Sequence, residues 1–316
     1  MSEVKSPWPG PKGLIPVTDG SAADANVIAR RYMDSLLVEM RVIDAVEADL
    51  STEIFGRKFA SPIMMPAFSH LNHVGQNGRK PMVEYAEAAA ELNVMNWAGM
   101  ETDETFAEIC STGAASVRII KPFKDHSLIE EQIEAARKAG AIAVGVDIDH
   151  VFGKNGKYDV VDGLELGPVT LADLQHYASL AGDLPFVAKG VLSVQDALKC
   201  KDAGCAGVFV SHHHGRLAYG IPPLAVLPEI KEALAGSGMK IFADGHMDSG
   251  YDVFKALALG ADAVSVGRAI LPGLLKEGKE GVEKQLRLMN HQLAEMMGYT
   301  GCAEVASITK DVLHRY

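Results

Sequence analysis

Short apolar segments alternate with amphipathic helical patterns along most of the chain. Eight of these segments have the length of a strand and contain few polar residues before their last position. Strands that are apolar on both faces are typical of a parallel sheet covered by helices. The predicted strands are Pro62–Pro66, Leu92–Trp97, Val117–Lys121, Ala141–Asp147, Leu184–Lys189, Ala206–Ser211, Lys240–Asp244 and Asp262–Gly267.

Helical patterns precede, separate and follow these strands. Neighbouring parallel strands need a crossover connection, and a helix supplies it. Eight strands in one unbroken series predict an α/β protein with a closed (β/α)₈ TIM barrel, and an open doubly wound sheet is the alternative. The predicted helices cover residues 22–41, 79–91, 103–112, 126–139, 170–181, 193–203, 224–235, 249–259 and 278–298.

A weak internal repeat supports one continuous barrel. The segments KAGAIAVGVD, DAGCAGVFVS and ALGADAVSVG each read as a helix end, a glycine C-cap and a buried strand. We therefore expect a single domain over residues 1–316. Within it, residues 1–21 carry Pro7, Pro9, Pro11 and Pro16 and are predicted to form an extended arm before the first helix.

Polar residues collect where the predicted strands end, and the loops before the strands hold little comparable. Any one of these residues is often a structural cap or a bystander. Active sites of (β/α)₈ barrels lie at the carboxyl ends of the strands, so the shared location predicts an enzyme. The residues are His70, His73, Lys121, Asp147, Asp149, His150, Lys189, Ser211, His212, His213, His214, Arg216, Asp244, His246, Gly267 and Arg268.

Composition narrows the class of partner. The net charge is −11 at pH 7 and no run of Lys or Arg occurs, which argues against nucleic acid and anionic membranes as partners. A small anionic substrate would need a local positive pocket. The sequence shows neither a signal peptide nor an apolar run long enough to span a membrane, and its four cysteines form no CxxC pair, so we expect a cytoplasmic protein with reduced thiols.

Three segments resemble the FMN-dependent α-hydroxy-acid oxidases and dehydrogenases. AKGVLSVQDALKCKDAGCAGVFVSHHHGR resembles the strand-five lysine of that family and its Ser-Asn-His-Gly-Gly-Arg signature. ADGHMDSGYDVFKALALGADAVSVGRAI resembles its Asp-Gly-Gly and Gly-Arg segment, and VEADLSTEIFGRKFASPIMMPAFS resembles the approach to the first barrel strand. The resemblance runs from about residue 30 to the C-terminus, and it implies an FMN flavoprotein that oxidises a small 2-hydroxy acid to the 2-oxo acid.

The resemblance also implies roles for particular residues. His213 takes the place of the catalytic base, Asp147 of the carboxylate that orients it, and Arg216 of the arginine that clamps the substrate carboxylate. Lys189 takes the place of the lysine beside the N1–C2 edge of the flavin. The other implied FMN contacts are Pro66, Ala67, Phe68, Ser211, Asp244, Gly245, Gly267 and Arg268.

Departures from the family pattern cluster in the same region. His212 and His214 replace the Asn and first Gly of the signature, and His246 replaces the second Gly of Asp-Gly-Gly. Asp248 stands where relatives place an arginine against the FMN phosphate. The loop after strand four is also shorter than usual, so we expect a reduced or absent lid.

Strand three departs as well, since Ile119 and Lys121 replace a glutamine and a tyrosine. Lys121 is assigned here to the catalytic group as a second cation or hydrogen-bond donor that would favour an acidic substrate. The alternative is that it only fills space.

Two other functions remain open on the sequence. A flavin-free metalloenzyme would use the histidines at the strand ends, since imidazole and carboxylate suit Zn²⁺, Mn²⁺ or Fe²⁺. A non-catalytic barrel would only bind an anionic metabolite. Relatives of the resembled family commonly assemble, so a homo-oligomer is also expected.

Overall fold

The computed structural model describes residues 20–75, 77–153 and 156–316. Nearly all of the predicted arm at 1–21 lies outside the described residues. Ten helices and eight parallel barrel strands account for most of the described chain. We number the barrel strands β1 to β8 in chain order.

All eight predicted strands are confirmed, most of them shorter than predicted. They are β1 (Ile63–Met64), β2 (Asn96–Ala98), β3 (Ser116–Ile120), β4 (Ala143–Asp147), β5 (Phe186–Val191), β6 (Gly207–Val210), β7 (Lys240–Ala243) and β8 (Ala263–Ser265).

The sheet closes into a barrel, which excludes the open alternative. Each strand from β2 to β8 pairs with its predecessor or successor in parallel, and β8 returns to β1 through Val264 and Ile63. The last seam, between β1 and β2, is bridged where Met65 N donates to Met95 O at 2.9 Å and Phe68 pairs with Ala98. The carboxyl ends of all eight strands therefore meet at one rim.

Helices surround the barrel, and eight of the ten match predicted helices closely. They are α1 (Ala25–Asp34), α2 (Pro81–Leu92), α3 (Asp103–Ser111), α4 (His126–Ala139), α5 (Leu171–Ala181), α6 (Val194–Asp202), α7 (Pro223–Ala233), α8 (Gly250–Ala258), α9 (Gly267–Glu277) and α10 (Lys279–Tyr299).

Two of the helix predictions need correction. The helix predicted at 22–41 ends at Asp34, because Leu36–Val38 pairs antiparallel with Leu313–Arg315 at the far end of the chain. Helix α9 was not predicted, since Gly267 and Arg268 were taken as the end of strand eight. In the structure Gly267 begins this helix instead.

The remaining elements are short. Thr52–Ile54 and Arg57–Phe59 form a hairpin, and so do Val160–Val161 and Leu164–Glu165. Single 3₁₀ turns occur at Leu71–Val74, Val305–Ser307 and Lys310–Val312. Within the described residues, no helix is long and apolar enough to cross a membrane.

Aromatic side chains fill the inside of the barrel. The ring of Trp97 packs edge-on against Phe209 and Phe242, with centroids 5.2 and 5.0 Å apart. Its Nε1 lies 3.0 Å from the Met64 sulfur. This layer closes the barrel below the rim, and Phe209 forms part of the floor of the cavity described next.

Candidate active site

A cavity of about 80 Å³ lies at the rim formed by the carboxyl ends of the strands. It lies where barrel enzymes carry their active sites. Its lining draws on β1, β5, β6, β7 and β8 and on helix α1. The lining residues are Asn26, Pro66, Ala67, Phe68, Lys189, Phe209, His212, His213, His214, Asp244, Gly245, His246, Met247, Asp248, Ser265, Gly267 and Arg268.

Asp147, the last residue of β4, is the centre of a buried charge network beside this cavity. Its carboxylate lies 2.6 Å from Lys121 Nζ and 3.0 Å from Lys189 Nζ. Lys189 is the register partner of Asp147 across the β4–β5 pair, so the strand pairing itself fixes this contact. The His213 imidazole completes the network, with Nδ1 3.2 Å from Asp147 Oδ1.

The network keeps Asp147 ionised. Burial by itself raises the pKa of the Asp147 carboxyl, but His213, Lys121 and Lys189 outweigh it and hold that pKa well below its usual range. Burial lowers the pKa of Lys121, although Asp147 opposes the effect. Burial also opposes the charge on Lys189, but Asp147, Asp149 and Asp244 raise the pKa of that ammonium above its ordinary value.

His213 is held between two carboxylates. Its Nδ1 lies 2.8 Å from Asp149 Oδ1 as well as 3.2 Å from Asp147 Oδ1. With Nδ1 committed to both carboxylates, Nε2 is the nitrogen left to exchange a proton with a ligand. The ring therefore has the arrangement of a general base whose cationic form is stabilised in advance.

The loop after β6 orients this ring through an unusual backbone. His213, His214 and Gly215 are consecutive left-handed residues, with φ of 45°, 62° and 80°. The Ser211 hydroxyl accepts a hydrogen bond from His213 N at 3.1 Å, and His212 Nδ1 accepts one from Gly215 N at 3.1 Å. A left-handed non-glycine residue is strained, so these contacts hold the turn in place.

Arg216 lies at the outer edge of the network. Its Nη1 donates to Phe152 O at 3.4 Å and lies 3.9 Å from Asp159 Oδ2. Asp159 also lies 2.9 Å from His150 Nε2, and the His150 and His213 rings pack edge-on at 5.3 Å. Asp159 thus connects Arg216 to His150 and His213. Most of the guanidinium N–H groups of Arg216 remain available to bind a ligand.

The hairpin between β4 and α5 covers this edge. Its strands are Val160–Val161 and Leu164–Glu165, and Asp162 in its turn lies 3.2 Å from His70 Nε2 across the rim. The lid was predicted to be reduced or absent, and of these two alternatives the structure has the reduced one. A short lid is present, and pairing within the loop gives it structure.

The opposite end of the cavity is built from β1, β7 and β8. Gly267 is the first residue of α9, so the backbone N–H groups of that helix start face the lining. Arg268 Nη2 donates to Asn26 Oδ1 at 2.9 Å. Backbone donors at a helix start, next to a guanidinium, are the arrangement that binds phosphate.

Two carboxylates and two imidazoles also line this end. Asp248 Oδ2 lies 3.8 Å from His246 Nδ1 and 3.7 Å from Arg30 Nη1. A hydrogen bond from His246 lowers the pKa of Asp248, and Arg30 and Arg268 add to the effect against burial. His212 Nε2 and His246 Nε2 are buried without a hydrogen-bond partner among the described residues, which leaves two polar atoms for a ligand to satisfy.

The structure brings most of the sequence-predicted residues together. His213, Asp147, Lys121 and Lys189 share one network, as described above. Arg216 lies outside this network and contacts Asp159, whose partner His150 packs against His213. Ser211 is buried below the His213 turn, and the remaining predicted cofactor residues line the cavity, namely Pro66, Ala67, Phe68, Asp244, Gly245, Gly267 and Arg268.

Three contributors were not assigned to this site from sequence. Asp149 was counted only among the polar residues at the strand ends, although its place two residues after Asp147 was a usable signal. Asp159 lies inside a loop with no motif. Asn26 comes from α1, far from the rim in sequence, and only the fold shows that it contacts Arg268.

Known proteins match this chain along most of its length. The family model for FMN-dependent dehydrogenase matches residues 14–182 and 167–315. Peroxisomal (S)-2-hydroxyacid oxidase GLO3 of Arabidopsis thaliana is 28% identical over 95% of this chain and 92% of its own length. Human 2-hydroxyacid oxidase 1 is 29% identical over 86% of this chain and 83% of its own.

Solved structures agree. A mandelate oxidase matches with a TM-score of 0.82 at 27% identity, covering 94% of this chain and 91% of its own. A variant of mandelate oxidase with the C4a-OH-FMN adduct matches with a TM-score of 0.83 at 27% identity, over 94% of this chain and 92% of its own.

The cavity lining fits FMN in its chemistry. Lys189 supplies a buried cation, the start of α9 with Arg268 supplies phosphate donors, and the unpartnered His212 and His246 nitrogens supply further polar contacts. The cavity volume of about 80 Å³ is below the roughly 300–1,000 Å³ of pockets that bury a ligand of this class. His214 and His246 line the cavity at two glycine positions of the family pattern, where glycine would leave more room.

The match over nearly the whole chain and the agreement in fold lead to one conclusion. The chain belongs to the FMN-dependent dehydrogenase family and is an oxidoreductase with FMN as its cofactor.

Proposed function

We propose that this enzyme oxidises a small 2-hydroxy acid to the corresponding 2-oxo acid, with His213 as the catalytic base. The observation that carries the proposal is the contact of His213 Nδ1 with both Asp147 and Asp149, at 3.2 and 2.8 Å. The family match supports the redox class. It leaves little support for the flavin-free and non-catalytic alternatives.

His213 Nε2 takes one proton from the substrate in this proposal. The two carboxylates at Nδ1 stabilise the resulting imidazolium, so proton removal becomes easier as the electrons leave the α-carbon. FMN, when bound, would supply the acceptor for those two electrons and for the second proton. The buried cations Lys121 and Lys189 hold Asp147 in its ionised form throughout.

Arg216 and Lys121 bind the anionic end of the substrate. The nearest carboxylate to Arg216 is Asp159, at 3.9 Å, so the guanidinium has donors free to take a substrate carboxylate in a bidentate pair. Lys121 adds a second positive charge behind His213. Two cations near one base favour a substrate with at least one carboxylate.

The cavity residues hold FMN. Lys189 would stabilise negative charge on the reduced flavin, and Pro66, Ala67 and Phe68 would contact its ring. Gly267 and Arg268 would hold the phosphate, and Asp244 and Gly245 would hold the ribityl chain. Ser211 acts indirectly, through its hydrogen bond to the His213 backbone.

The cellular location and the oligomeric state of the enzyme are also proposals. We infer a cytoplasmic homo-oligomer. The sequence pattern supports the location, and the common assembly of members of the resembled family supports the oligomer.

The first test is the visible spectrum of the purified protein. We expect flavin bands at close to one FMN per chain, and bleaching of these bands on anaerobic titration with a panel of 2-hydroxy acids. His213→Asn should lower the rate of bleaching by a factor of about 10²–10⁴, the usual contribution of a general base. His176→Asn, at an exposed histidine paired with Glu130, is the matched control and should bleach normally.

Two results would contradict the proposal. One is a full complement of FMN that no 2-hydroxy acid bleaches. The other is an unchanged bleaching rate in His213→Asn.

A further inference from the structure

A second cluster of metal-binding side chains lies at the rim outside the cavity. His70 and His73 follow β1, and Glu101 follows β2. One potential ligand atom from each lies within 4.8 Å of the others. The two imidazole rings are stacked with centroids 5.4 Å apart, and none of the three residues lines the FMN cavity.

The cluster contains polar atoms that the protein leaves unsatisfied. Glu101 Oε1 is buried and makes no hydrogen bond with any described residue. Buried His70 Nε2 has Asp162 Oδ2, on the lid hairpin, at 3.2 Å but outside hydrogen-bond geometry. Buried polar atoms without a hydrogen bond are rare in folded proteins and usually mark a bound water or ion.

Electrostatics here favour a cation. Two carboxylates, those of Glu101 and Asp162, lie beside two imidazoles. In the described part of the chain, no lysine or arginine lies within ion-pair distance of either carboxylate. A divalent cation would neutralise this negative charge, and the imidazole nitrogens can donate lone pairs to it. Exposed His73 would leave room for water on the open side.

The backbone holds the three ligands in place before any ion binds. His70 N donates to Met100 O at 3.1 Å, and Gly99 N donates to Phe68 O at 2.8 Å. Ser69 Oγ accepts from Met100 N at 2.9 Å. The loops after β1 and β2 are thus tied together, and His70 has a left-handed φ of 55° at the start of the following 3₁₀ turn.

We propose that His70, His73 and Glu101, joined by Asp162, bind one divalent cation of the Zn²⁺ class. Two imidazoles with two carboxylates form the mixed nitrogen and oxygen set that this class prefers. Because Asp162 belongs to the lid hairpin, the ion fastens the lid to the loops after β1 and β2. The site is separate from the catalytic base.

A second group, formed by Asp147, His150 and His213, also has metal-ligand spacing. It is the weaker candidate, because Lys121 and Lys189 already neutralise Asp147 at 2.6 and 3.0 Å. A divalent cation there would be repelled by both ammonium groups.

The test is direct measurement of metal binding by the full-length, FMN-loaded protein. After removal of metal with a chelator, Zn²⁺ is titrated by calorimetry, and bound metal is counted after dialysis. We expect one Zn²⁺ per chain. Affinity should fall at least tenfold in His70→Ala and in Glu101→Gln, and several-fold in Asp162→Asn. His176→Ala is the matched control and should bind Zn²⁺ like the original chain.

FMN content and melting temperature establish that each variant is folded. Asp162→Asn, at an exposed turn position, keeps the test decisive if the substitutions at the buried ligands prevent folding. The proposal is overturned if no Zn²⁺ binds, if the folded variants bind it as the original chain does, or if binding is lost in His150→Ala and kept in His70→Ala.

Discussion

At the scale of single residues, the electrostatics of the proposed catalytic site depend on Asp147. It is 2% exposed and is the shared partner of two lysines and one histidine. A buried carboxylate with several partners keeps some of them when one is lost. If Asp147 loses its charge, neither lysine keeps a carboxylate of the described residues within ion-pair distance.

Asp147→Asn should therefore destabilise the protein far more than Lys121→Met. We expect a loss of about 3–5 kcal/mol for Asp147→Asn, the range for leaving a buried charge unpaired, and less than half of that for Lys121→Met. Urea unfolding measures both. Lys199→Met, at an exposed pair with Asp196, is the control and should change stability by less than about 0.5 kcal/mol. Equal losses in the two network variants would show that Asp147 is not the shared partner.

His150 should make stability depend on pH. Burial, with the nearby cations Lys121 and Arg216, lowers the pKa of His150 to about 4, against about 6.5 in an unfolded chain. Above about pH 6.5, His150 is neutral in both states and does not lower the unfolding free energy. As the pH falls from about 6.5 toward 4, the unfolded chain takes up the proton first, and the unfolding free energy falls.

His150→Gln should flatten this dependence. Between pH 7 and pH 5 we expect the variant to lose about 1–2 kcal/mol less unfolding free energy than the original chain. Denaturant unfolding at the two pH values measures the difference. The exposed His176→Gln serves as control, and parallel pH curves for the original chain and His150→Gln would refute the assignment.

At the scale of elements, close backbone contact fixes helices α9 and α10 to each other. A Cβ added at Gly273 would lie 2.6 Å from Gly281 O, and one at Gly281 would lie 2.1 Å from Gly273 O. Only backbone fills this crossing, so no side chain can turn aside to make room. The crossing in turn holds the start of α9, where Gly267 and Arg268 face the FMN cavity.

Gly281→Ala should therefore destabilise the protein by about 3 kcal/mol, at the upper end of the range for overpacking. It should also weaken FMN binding, since the start of α9 would shift. Gly298→Ala is the matched control in the same helix. A Cβ there meets nothing within 4 Å, and Ala is the better helix former by about 1 kcal/mol. Thermal unfolding and FMN titration check both variants, and a neutral Gly281→Ala would contradict the contact.

Helix α1 shows how an element can serve a site far from it in sequence. Asn26 accepts a hydrogen bond from Arg268, and Arg30 lies 2.9 Å from Asp252 and 3.7 Å from Asp248. Arg30 thereby places a positive charge beside the carboxylate that replaces the family arginine.

At the scale of the whole molecule, FMN should contribute directly to stability. The cavity joins five barrel strands and α1, so a ligand held there binds only the folded chain. At a free FMN concentration of one hundred times Kd, we expect about 2.7 kcal/mol of added unfolding free energy. Riboflavin, which lacks the phosphate, should bind more weakly, and equal affinity for the two would rule out a phosphate site at Gly267 and Arg268.

Asp248→Asn should tighten FMN binding about three- to tenfold, because it removes a negative charge from the phosphate end of the cavity. Fluorescence titration of the metal-free apoprotein with FMN measures the change. Asp34→Asn is the control, since Asp34 is an exposed partner of the same Arg30. Weaker binding in Asp248→Asn would show that Asp248 helps to hold FMN.

The sequence by itself determined the barrel, the family and most of the residues that the structure brings together at the rim. The local hydrophobic pattern predicts the order of strands and helices along the chain. With a helix between each pair of apolar strands, few topologies of a parallel sheet are possible. The pattern placed His213, Asp147, Lys121 and Lys189 together because strand ends in a closed barrel must share one rim.

Only the tertiary structure decided the contacts that no local pattern encodes. Asp149 joins His213, Asn26 reaches Arg268, and Leu36–Val38 leaves the predicted helix to pair with the end of the chain. The lid hairpin and the start of α9 were also not predicted from the sequence. The physical reason is common to all five: each depends on the position of a neighbour distant in sequence or on backbone pairing within an irregular loop, and neither leaves a periodic pattern.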